Sequence, residues 1–150
     1  MNLRLLFSGL LLAAATLLTA QDVTSTFNVG TEFIDVDPGG LYIAGGAEFT
    51  APGDPQFQLT DPDGDGVYSL TITRPSGFSS FYTIANGACP DYGCKEQIAG
   101  QPCSDPDNFN DRFLAPVTEN TVINTCFGEC SETITCSPPP SGVNVTFALD

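Results

Sequence analysis

Asp61-Pro-Asp-Gly-Asp-Gly66 sets three carboxylates at alternate positions with glycines between them. Such a run can wrap oxygen ligands around a hard cation, and calcium suits a set of this kind. Asp61, Asp63 and Asp65 are the candidate ligands, with a backbone carbonyl near Val67. An EF-hand loop opens this way but requires an acid at its twelfth position. Counted from Asp61 that position is Ile72, so the segment is not an EF-hand. Two roles stay open. One is a hairpin turn in which glycine supplies positive φ and aspartate bonds nearby backbone; the other is the same turn holding calcium. Asp35, Asp37 and Asp54 are further carboxylates that the fold can bring close.

The six cysteines, Cys89, Cys94, Cys103, Cys126, Cys130 and Cys136, offer either zinc or disulfide chemistry. Their spacings do not make two CxxC knuckles, and the chain has no histidine. Zinc is therefore disfavoured, and disulfides of an exported protein are expected. Locality predicts Cys89–Cys94 and Cys130–Cys136 as short rings and Cys103–Cys126 as the long-range bridge.

Without histidine the usual general base is missing. No Gly-x-Ser-x-Gly, phosphate loop or dinucleotide fingerprint occurs, so the chain reads as a non-enzyme. Eighteen acidic residues leave a two-carboxylate glycosidase open on composition alone. Sugar recognition uses exposed flat rings that stack on pyranose faces. With no Trp in the chain, Tyr82, Tyr92, Phe109 and Phe127 are the candidate platform. Core packing is the competing role for each.

The elements that would carry these residues read as strands. Period-two segments bounded by Gly, Pro, Asn and Asp recur at Thr24–Val29, Leu41–Ala44, Gln56–Thr60, Val67–Thr73, Phe78–Ile84, Arg112–Ala115 and Thr121–Phe127. They predict an all-β sandwich of about seven strands, immunoglobulin-like in size. Tyr68, Leu70 and Ile72 make one inward face, matched by Phe57 and Leu59. Gly87–Asn110 carries little strand pattern and three cysteines, and is expected to be a long loop stapled to the body.

The ends set the compartment and the organisation. Arg4 precedes an apolar run, Leu5 to Ala20, that reads as a secretory signal peptide over 1–20. Cleavage leaves Arg74, Lys95 and Arg112 against 18 acidic residues. That surface repels nucleic acid and anionic lipid and attracts cations. The module would span 21–136, followed by a Pro-rich linker over 137–142. Val143–Asp150 lies over Val23–Gly30 without a gap, with Val, Thr and Phe coinciding. It reads as the first strand of a second, truncated copy, as tandem arrays predict.

Five segments in order carry a resemblance: Thr26–Val29, Gly40–Gly45, Leu59–Leu70, Glu96-Gln97 with Gln101–Cys103, and Cys126–Cys130. Together they resemble a repeat module of large secreted and surface proteins of Bacteroidota, often beside carbohydrate-active enzymes. That module is similar to the early-set, immunoglobulin-like sandwiches of starch- and glycogen-binding domains. Such modules tend to carry Phe-Asn-Gly-Trp after the second strand, where this chain has Ala47-Glu48-Phe49-Thr50. Glucan binding therefore does not carry over. The expected function is a non-catalytic module of a secreted multi-domain surface or matrix protein, serving as spacer, adhesin or accessory domain. Its partners would be neighbouring copies and extracellular polysaccharide. A carbohydrate-binding module attached to a polysaccharide-degrading enzyme and a strand-exchanging filament subunit are the alternatives.

Overall fold

A computed structural model describes residues 21–138. The expected signal peptide and the strand Val143–Asp150 lie outside the described residues, as does the linker after Pro138. Among the described residues no helix is long and apolar enough to cross a membrane.

The chain is an all-β, two-sheet sandwich. Its strands are β1 (Asp22–Gly30), β2 (Leu41–Ala44), β3 (Gln58–Leu59), β4 (Val67–Pro75), β5 (Phe78–Asn86), β6 (Arg112–Val117) and β7 (Thr121–Cys126). One sheet has the order β4-β1-β7, the other β3-β2-β5-β6. β1 runs antiparallel to β4 and parallel to β7, in the register Ser25↔Thr121 through Gly30↔Cys126. The expected strand Gln56–Thr60 begins instead as a 3-10 turn, Pro55–Phe57. Proline at its first position cannot donate to a ladder, and the Asp54 carboxylate caps the turn by accepting from the Gln56 N–H.

Alternation along the strands builds the core. Val23, Phe27, Val29, Leu41, Ile43, Leu59, Ile72 and Ile84 point between the sheets and are buried. Tyr68 and Leu70 pack against them from the outer part of the same face, as their period-two spacing predicts. Phe27, Phe49, Phe57, Phe78 and Tyr82 meet mostly edge to face, with centroids 5.3–6.3 Å apart. This geometry favours the ring quadrupoles. Phe49 stands in the segment where the resembling modules place a tryptophan. Here it is a core residue.

Three disulfides close the lower part of the molecule, and no cysteine is free. Bridges of this kind persist in oxidising compartments. Cys89–Cys94 is as predicted. The other two differ: Cys103 joins Cys130, and Cys126 joins Cys136. The cause is a reversal of the chain just after β7. The turn at Cys126–Glu129 brings Cys130 beside Cys103. The tail then returns across Gly30, where any Cβ would collide with the Ile134 carbonyl oxygen. That return delivers Cys136 to Cys126.

Candidate functional site

The segment after β5 is a loop, as expected, but it is fixed at several points. Cys94–Glu96 takes the place beside β5 that β6 leaves vacant, through Asn86 N–H to Cys94 O and Glu96 N–H to Ile84 O. Glu96 then points inward, with its side chain fully buried against Arg112 at the start of β6. The guanidinium makes a fork on the carboxylate, Nε to Oε1 at 2.8 Å and Nη2 to Oε2 at 2.6 Å. Arg112 also donates to Thr125 Oγ1 and to the carbonyls of Cys126 and Glu129. Glu96 accepts from the Ile84 and Gly128 N–H groups. Each charge is thus paired and its remaining valences are used, the condition under which a buried ion pair is tolerated. The same charges reach Tyr82. Burial pushes its phenol up to about 12, with Arg112 opposing and Glu96 adding to the shift.

Gln101 completes the clasp. Its amide donates to the Gly128 carbonyl and accepts from the Cys130 N–H, beside the Cys103–Cys130 bridge. The Glu96, Gln101–Cys103 and Cys126–Cys130 segments of the resemblance are therefore one structural lock. Sequence reading separated them because their contacts run between residues 27 to 32 apart in the chain.

Above this lock lies a cleft of about 640 Å³, lined by Gly45, Asp91, Tyr92, Gln97, Phe109 and Asn110 among others. Tyr92, Phe109 and Asn110 are the three non-glycine residues with positive φ among the described residues, at 60°, 59° and 59°. All three line this cleft. Asparagine tolerates that conformation, whereas bulky side chains avoid it at roughly 1–2 kcal/mol each. Local bonds hold them there. Tyr92 sits inside the Cys89–Cys94 ring, with its N–H on Cys89 O. Phe109 ends the 3-10 turn Pro106–Asn108, and its carbonyl accepts from Lys95 Nζ. Lys95 is paired with Asp111 at 2.5 Å. Phe109 is 86% exposed, although a glycine in that left-handed position would relieve both strain and exposure.

The four candidate platform aromatics divide. Tyr92 and Phe109 share the cleft. Tyr82 is 5% exposed in the core, because its position on β5 faces Phe27, and so it is no platform. Phe127 is half-buried against the core and lines a different, smaller pocket. The positive φ of Tyr92 and Phe109 was not readable from residue type, since both spacings look like ordinary loop.

The Asp61–Gly66 segment is an exposed hairpin turn. One oxygen from each of Asp61, Asp63 and Asp65 lies within 4.8 Å of the others, a spread that calcium ligands adopt. Backbone already engages Asp61 and Asp65. Asp61 accepts from the N–H groups of Gly64, Asp65 and Gly66, and Asp65 from that of Val67. Asp35, Asp37 and Asp54 are not part of this group; Asp37 and Asp54 bond the Gly39 and Gln56 N–H groups instead. Much of the acidity therefore serves turns.

Desolvation pushes the Asp61 carboxyl up. The bonds from Gly66 and Gly64, the Asp63 side chain and the Asp65 N–H outweigh it and hold the group below its ordinary value. A depressed carboxylate stabilises the fold above its unfolded pKa, and that stability is lost as pH falls through the folded one. Thermal melts of wild type should therefore weaken below about pH 4, and Asp61→Asn should flatten that part of the curve. Equal acid sensitivity in the variant would remove the turn from the account. Calcium added at pH 7 is expected to leave both melting temperatures unchanged. A rise in wild type alone would show that a cation completes the turn.

No protein-family model matches the chain, and no curated protein is found similar to it.

Proposed function

We propose that the chain is a non-catalytic recognition module of a secreted, multi-domain surface protein, of the early-set sandwich kind that its sequence resembles. The observation that carries this reading is the state of the charges in the main cleft. Lys95 is paired with Asp111, and Glu96 is buried on Arg112. An acid–base pair for hydrolysis needs two available carboxyl groups at a set separation. Here Glu96 and Asp111 are spent on structure, and what faces solvent is two rings, two amides and the single carboxylate of Asp91. Three disulfides and the apolar leader support export, and the meeting of the resemblance segments in one lock supports the kinship. Strand exchange finds β6 a poor acceptor, since Pro116 interrupts its open edge.

Protease shaving of intact source cells tests the reading. Peptides from 21–138 are expected in the released fraction, and the purified protein should liberate no reducing sugar from polysaccharides. Recovery only after lysis would contradict export, and sugar release would contradict the non-catalytic reading.

A further inference from the structure

We infer that the Tyr92–Phe109 cleft is a saccharide site that takes an uncharged glycan; the inference rests on the module reading above. Its volume of about 640 Å³ falls in the roughly 300–1,000 Å³ range of small-molecule sites. Two aromatic side chains line it, one of them 86% exposed, and both are held in a backbone conformation that neither residue type favours. Nothing in the fold requires a ring at 109. Its backbone serves the turn and the Lys95 bond, and its side chain serves neither. A ring presented to water on a fixed backbone is a stacking surface whose ordering cost is already met before a ligand arrives.

The polar neighbours define the class of ligand. Asp91, Gln97 and Asn110 stand around the rings and offer the carboxylate and amide partners that sugar hydroxyls bond. Asp91 has one oxygen on the Gly93 N–H, which fixes its direction. The two cations near the cleft are neutralised, Lys95 by Asp111 and Arg112 by Glu96. An anionic ligand would meet no free positive charge there, and a net charge of −14 on the chain would repel it. A protein partner would seat on a contiguous apolar face, which these interleaved polar groups interrupt. An uncharged glycan satisfies both the rings and the hydroxyl-bonding rim.

Native affinity electrophoresis tests the assignment, using gels cast with glycogen, mixed-linkage β-glucan, xyloglucan, galactomannan or, as the anionic probe, alginate. At least one neutral polysaccharide is expected to retard the wild type. Phe109→Asn keeps a residue that accepts positive φ and should weaken that retardation at least tenfold. Val122→Thr, on the exposed face of β7 away from the cleft, should leave it unchanged. Failure of every neutral polysaccharide to retard the protein would overturn the inference. So would retention indifferent to Phe109→Asn, or retention by alginate alone. Reducing ends are measured in the same incubations. Their release would sink the non-catalytic reading and leave the sugar assignment standing, whereas no retardation and no release would sink the sugar assignment alone.

Discussion

Glu96→Ala is expected to lower the free energy of unfolding by about 3–5 kcal/mol, the cost of breaking a buried ion pair from one side. The substitution leaves the Arg112 guanidinium, 5% exposed, without its counter-charge. It also strips the acceptor from the Ile84 and Gly128 N–H groups. Removing both partners is the more telling experiment. Buried ion pairs replaced by apolar side chains of similar volume are often neutral in stability. Glu96→Leu with Arg112→Met should not be, because the clasp is more than a pair. The Ile84 and Gly128 N–H groups would lose the acceptor that Glu96 supplies, whereas the carbonyls of Cys126 and Glu129 would lose Arg112 but keep the N–H groups of Glu129 and Ser131. Each of the two orphaned N–H groups costs about 1–3 kcal/mol, so the double variant should stay destabilised by at least about 2 kcal/mol. Urea denaturation reads both values. A double variant as stable as wild type would show that the network is replaceable packing.

Replacing Cys103 and Cys130 together by alanine is expected to cost about 3.5 kcal/mol, from the loop-closure entropy of a ring with a sequence separation of 27. The same relation gives about 2.7 kcal/mol for Cys126–Cys136, whose separation is 10. It gives about 2 kcal/mol for Cys89–Cys94, whose separation is 5. Stability and recognition should therefore part company. The Cys89–Cys94 pair is the mildest loss for the fold and the most damaging for the cleft, because that ring holds Tyr92. Chemical denaturation of the three double variants gives the order. An unreduced digest should yield a peptide joining Cys103 to Cys130, and one joining Cys103 to Cys126 would refute the arrangement around the clasp.

The strands were legible where burial alternates strictly. Val23, Phe27 and Val29 on β1, and Ile72 between exposed Thr71 and Thr73 on β4, show the period of two directly, whereas Val67–Leu70 are all half-buried. Leu41–Ala44 matched its strand to the residue because glycines bracket it. The disulfide pairing was less legible. Locality favours the nearer cysteine, but a turn at Gly128 and the close approach at Gly30 redirect the tail, and neither leaves a periodic trace. The cleft was half legible. Tyr92 and Phe109 stand out as loop aromatics, yet so do Tyr82 and Phe127; the register of β5 sends Tyr82 toward the core, and the turn just after β7 sets Phe127 against it. The partnership of Glu96 with Arg112 was hidden by their types. A lone acid in a loop and a lone base at a strand start look like solvated charges until the sheet brings them together.

Amide hydrogen exchange tests the central claim most directly, namely that the long loop is a locked part of the sandwich which presents a preformed cleft. Exchange energies range from near zero in mobile loops to the full unfolding free energy in the core. The Ile84 and Gly128 amides both donate to the Glu96 carboxylate. They should exchange together with core amides of β1, such as Phe27, and only through global unfolding. Rapid exchange of Gly128 while Phe27 remains protected would mean that the clasp opens locally, and the cleft would then not be preformed.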